Sequence, residues 1–120
     1  MSHDQPPAEV DAYIHQVARH LRELGLHGDV RVDSPEEAAD LGRQWGQVVI
    51  PSRHGMSGNV WLVWSDGPGG PDHQCGPGWC VWTFTWCVAA LRPAGLRHPD
   101  PRAVAEAAYP HIVPRVPPRP

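Results

Sequence analysis

Three cysteines, eight histidines and thirteen acidic residues are the side chains able to hold a metal, attack a substrate or move a proton. The densest grouping is His73, Cys75 and Cys80, in or beside a stretch of glycines and prolines. Zinc favours imidazole and thiolate ligands, but a structural site takes four of them, and this spacing is not that of a C-x2-C knuckle. Cys87 is a poor fourth ligand. Seven residues beyond Cys80 on one continuous strand, it would point to the opposite face more than about 20 Å away, at roughly 3.3 Å of rise per residue. The reading is therefore no metal and no cofactor, with cysteines that are free, mostly buried thiols.

A second chemistry for the same residues is nucleophilic, with Cys75 attacking and His73 as its base. Such a pair needs a third group to orient the base and donors for the developing oxyanion, and neither follows from spacing. Residues 55–59 (Gly-Met-Ser-Gly-Asn) approach the G-x-S-x-G elbow, but Asn59 replaces the second glycine and no parallel βα unit follows. A hairpin turn accounts for them. Asp66 and Asp72 flank a glycine-rich loop, where turn formation is reason enough for a carboxylate. No coherent catalytic set emerges, and the chain leans away from being an enzyme.

The six tryptophans are the residues most in excess of ordinary usage. Trp82 and Trp86 read as core, because a small domain gains most from its largest apolar side chains. Trp61 and Trp79 stand at strand ends beside a glycine-rich turn and a long loop. A pocket mouth or a partner surface explains them as well as the core does.

The elements that position these residues follow from periodicity. Over residues 7–24, Val10, Tyr13, Ile14, Val17, Leu21 and Leu24 recur at helical steps and form one apolar stripe, with Pro7 in the first turn and Gly25 at the C-cap. His15, His20, Asp11 and Glu23 fall between these positions, on a solvated face. Residues 29–33 alternate as a short strand. Ser34 and Glu37 then make a capping box for a short helix to about Arg43, with Ala38, Leu41 and Trp45 inward. Residues 48–50 form a strand ended by Pro51, residues 53–59 a hairpin connection, and residues 60–64 a central strand apolar on both faces. Residues 65–78, with five glycines and three prolines, form a long loop. Residues 79–88 read as the longest strand, its Trp82, Phe84 and Trp86 row beneath the helices and its Val81, Thr83 and Thr85 row outside. Asp100 and Pro101 start a last helix through Ala108, followed by a Pro-rich extended tail.

The order of elements implies an α+β fold, an antiparallel three- to four-stranded sheet with the N- and C-terminal helices packed on one face. Its 120 residues suit a single domain, with 1–6 and 111–120 as extended tails. The net charge of −3 is spread without a basic face, which disfavours nucleic acid. No stretch approaches the roughly 18 apolar residues of a membrane span, and the N-terminus lacks the features of a secretion signal, so a cytoplasmic location is expected.

All ten basic residues are arginines, and alanine, glycine and proline abound, a pattern of GC-rich codons. The N-terminal helix, the Trp61-Leu-Val-Trp64-Ser65-Asp66 run, the Gly78-Trp79 pair opening a strand and the Pro-Asp-Pro-Arg-Ala-Val-Ala helix of residues 99–105 together resemble small actinobacterial domains. The likeness covers about the last half of the chain, and the insertion at residues 67–76 departs from it. Those domains carry no assigned chemistry, so the resemblance implies source and fold alone.

The functional expectation is a non-catalytic binding or regulatory protein acting through a sheet face and Gly-rich loops, with a protein partner or self-association. Its candidate binding residues are Trp61, Trp79, Val81, Thr83, Thr85, Asp66, His73 and Cys75. The alternatives are a small enzyme or ligand-binding protein with a Trp-lined pocket under the 65–79 loop, and an immunity-type protein that neutralises a toxin.

Overall fold

The computed structural model describes residues 10–32, 45–52, 58–65, 78–83, 87–91 and 98–116, and only the backbone of Trp45. The elements are α1 (Val10–Glu23), β1 (Asp29–Val32), β2 (Trp45–Ile50), β3 (Val60–Ser65), β4 (Gly78–Trp82), β5 (Cys87–Leu91) and α2 (Pro101–Ile112). The fold is α+β. Among the described residues its sheet has five strands rather than three or four, all antiparallel and in chain order β1-β2-β3-β4-β5.

The extra strand comes from residues 79–88, which are not one long strand. The chain reverses between Trp82 and Cys87, and β4 pairs with β5 through Trp79↔Leu91, Val81↔Ala89 and Trp82↔Cys87, with a register irregularity at Val81/Trp82. The intervening Thr-Phe-Thr-Trp holds no Gly, Pro, Asn or Asp, so the turn carries no sequence signal. The separation of Cys80 and Cys87 along a single strand falls with it: they lie on neighbouring strands of a hairpin.

Register then decides which residues are core. Val30, Val48, Leu62, Val81 and Ala89 form one row across the sheet, and Val32, Gly46, Trp64, Trp79 and Leu91 form the next. These rows face the helices: Val48, Leu62, Trp64 and Val81 are fully buried, as are Ile14, Val17 and Leu21 of α1 and Val104, Ala105, Ala108 and Ile112 of α2. The expected orientation of β4 is therefore reversed. Val81 and Trp79 are core, and Trp82, expected beneath the helices, is half-buried on the other face. A shift of one residue exchanges the faces of a strand, and pairing with Leu62 and Trp64 sets the parity.

The apolar stripe of α1 is buried as expected up to Leu21, while Leu24 is exposed. Gly25 ends the helix at φ 88°, a conformation that favours glycine. Gly46 lets α1 approach the sheet, since a Cβ there would stand 2.9 Å from Ile14 Cγ1. Helix α2 begins with Pro101 after Asp100, but it runs past Ala108 to Ile112 with Pro110 inside it. The following turn brings the amides of Arg115 and Val116 to the Ile112 carbonyl, and Val116 packs on the core, so residues 111–116 are not the extended tail that was expected; residues 117–120 lie outside the described residues. The capping box and short helix of residues 34–43, and the tail 1–6, lie outside the described residues.

Candidate functional site

The inner side of the sheet is closed by a buried polar chain. Trp79 Nε1 donates to the Tyr13 hydroxyl at 3.0 Å, and that hydroxyl donates to the Pro99 carbonyl at 2.7 Å. Tyr13 also meets Trp64 edge-on at 6.0 Å between ring centroids, and the His98 ring is tilted against Trp64 at 5.6 Å between centroids. Trp79 thus ties α1, β4 and the approach to α2 together. It is a structural residue, not a pocket mouth.

The outer face is built from the opposite parity. Asp29, Val49, Trp61, Trp82 and Cys87 form one row, and Arg31, Gln47, Val63, Cys80 and Ala90 the next. The only charges in these two rows, Asp29 and Arg31, are both on edge strand β1. A solvated antiparallel face ordinarily alternates apolar and polar residues, whereas here β2 to β5 present an almost uncharged strip. Trp61 and Trp82 are direct cross-strand partners. Their Cβ atoms therefore sit about 4.5–5.5 Å apart, and the indoles flank a common slot. With Gln47, Val63 and Thr83 they line a cavity of about 300 Å³. The irregularity at Val81/Trp82 lies at one end of this slot; bulges bend a strand and re-aim its side chains.

The candidate residues are accordingly divided. Trp61 and Thr83 come together in the slot, while Trp79 and Val81 are withdrawn into the core. Thr85, Asp66, His73 and Cys75 lie outside the described residues. Gln47, Val63 and Trp82 complete the slot without having been anticipated. Trp82 followed from register alone, but Gln47 had a signal, as the one polar side chain in the Trp45–Ile50 strand.

The cysteines differ from expectation. Cys80 is a buried free thiol at 4 % exposure, but Cys87 is disulfide-bonded and thereby lost as a metal ligand. The expectation of free thiols, which assumed a reducing compartment, therefore holds for Cys80 and fails for Cys87. Among the described residues there is no grouping of three or more His, Cys, Asp or Glu placed to hold a metal, and no helix long and apolar enough to cross a membrane.

A second cleft, of about 370 Å³, lies between α1 and the start of β1. It mixes Arg19 and Arg22 with Asp29, and Arg19 is answered by Glu23 at 3.8 Å on the solvated side of the helix. His15 pairs with Asp11 at 3.3 Å on the same face. Compared with protein-family models, with curated proteins and with solved structures, the chain matches none.

Proposed function

We propose that this chain is a non-catalytic binding protein whose outer sheet face is an interface for an extended protein segment. The observation that carries the reading is the Trp61/Trp82 cross-strand pair, set with Gln47, Val63 and Thr83 around one slot in an almost uncharged strip. Contiguous apolar patches on a protein surface are characteristic of interaction sites, and tryptophan is the side chain most enriched at binding hot spots. Gln47 adds an amide that orients a bound backbone by hydrogen bonding. Such a slot offers shape, dispersion and one polar anchor, which is the equipment of recognition. The Gly-rich loop that the sequence puts beside this face lies outside the described residues apart from Ser65 and Gly78.

The test is selection of peptides from a displayed library against the parent protein, followed by titration of the winners into Trp61→Ala and Thr83→Arg variants. Both positions point away from the core, so the variants keep the parent's circular dichroism. Loss of binding in both supports the reading. Unaltered binding in both places the interface elsewhere and overturns it.

A further inference from the structure

Strand β1 ends the sheet on its side, and among the described residues β2 is its one partner strand. A strand bonded on one side directs alternate backbone N–H and C=O groups outward, as a template for a further strand. The cleft of about 370 Å³ between α1 and β1 runs beside this edge, since its lining comes from α1 and residues 28–30 with none from β2. Ala18, Gly28 and Val30, each half-buried, form its floor, and His15, Arg19, Arg22 and Asp29, each exposed, form its rim. The side chains of His15 and Arg19 are 60 % and 79 % exposed, so the rim is open to a ligand.

Charge selects the ligand. His15, Arg19 and Arg22 follow one another at four- and three-residue steps and share one side of α1. Two guanidinium groups on the rim thus face one carboxylate, that of Asp29. Arg22 has no ion-pair partner among the described residues. The contact of Arg19 with Glu23, at 3.8 Å between two exposed side chains, is of a kind that contributes little and yields to a better-placed carboxylate. A segment paired to β1 would set every second side chain on the helix side, about 6.6 Å apart. Arg19 and Arg22, about 4.5 Å apart along the helix axis, suit two such neighbours, because guanidinium binds carboxylate through paired hydrogen bonds. We infer that a partner protein adds an acidic, extended segment along the free edge of β1, its helix-side carboxylates held by Arg19 and Arg22. Main-chain hydrogen bonds to the edge supply affinity, and the arginines supply the preference for acidic residues. The site is separate from the Trp61/Trp82 slot and does not rest on it.

Fluorescence anisotropy of a labelled peptide, three Glu-Thr repeats blocked at both ends, tests this on the full chain. The expected result is saturable binding that weakens as salt is raised, and that falls by about tenfold or more when Gln replaces Glu in the peptide. Arg19→Gln and Arg22→Gln should each weaken binding by about tenfold; both positions are exposed, so the variants keep the parent's circular dichroism. Arg102→Gln, which removes the same charge from the exposed side of α2, should leave the affinity unchanged. Two further peptides carry N-methyl groups on the Glu amides or on the Thr amides, and each blocks one edge of the strand. One should bind like the parent peptide and the other not at all. The assignment is overturned if the parent peptide does not saturate, if the two methylated peptides behave alike, or if the Arg19 and Arg22 variants bind no worse than Arg102→Gln.

Discussion

Tyr13→Phe isolates the buried polar chain that joins α1, β4 and the segment before α2. The substitution keeps the ring, and with it the edge-on packing against Trp64 and the fill of the core. It removes one oxygen that accepts from Trp79 Nε1 at 3.0 Å and donates to the Pro99 carbonyl at 2.7 Å. Both stranded groups are buried, Trp79 at 1 % exposure and Pro99 in the buried class. An unsatisfied buried donor or acceptor costs about 1–3 kcal/mol, so the pair amounts to about 2–6 kcal/mol. With a urea slope near 2 kcal/mol/M, within the range of about 1–3 for small proteins, the midpoint falls by roughly 1–3 M. Trp79→Phe removes only the donor and leaves Tyr13 bonded to Pro99. The two substitutions should therefore combine to less than their sum by about 1 kcal/mol. A Tyr13→Phe midpoint within about 0.2 M of the parent would refute the reasoning, because it would mean that the stranded groups find water.

The orientation of the sheet predicts that Trp64→Ala costs about 3–5 kcal/mol, and Trp82→Ala, half-buried on the outer face, only about 1–2. Equal losses in chemical denaturation would mean that the faces are exchanged. Gly46→Ala drives a methyl against Ile14 at 2.9 Å and should destabilise by about 1–3 kcal/mol, read as a lowered thermal midpoint; a neutral result would show that α1 shifts without cost. Alkylation of the denatured, unreduced protein should label Cys80 and spare Cys87, which becomes reactive only after reductant. A Cys87 adduct in the unreduced mass spectrum would contradict its disulfide.

Local pattern was enough for the elements whose signal is local. The stripe of α1 is a one-helix property, and Tyr13, Ile14, Val17 and Leu21 are buried where the 3.6-residue period places them. Likewise β1 follows from alternation, β3 from an unbroken apolar run and the Pro101 start of α2 from capping chemistry, each in its own few residues. The α+β class follows from their order. The slot was half legible: Trp61 was singled out for its place beside a turn, and the lone Gln47 in an apolar strand was visible but unread.

Pairing decided the rest. An uninterrupted alternation from Trp79 to Val88 is compatible with one strand or with a hairpin, and without turn residues only the β3 register distinguishes them. Both parities of β4 are apolar, so hydrophobicity does not say which face is buried. Trp79 and Val81 go inward because their partners Trp64 and Leu62 do, and because Tyr13 and Pro99, 86 residues apart, offer the indole a hydrogen-bonded place. Trp82 is left outside beside Trp61 by the same constraint. The sequence by itself determined the helices, the strands with clean alternation and the fold class, since these depend on interactions within a few residues; the tertiary structure decided the hairpin, the buried face and the slot, since these depend on which distant residue stands opposite.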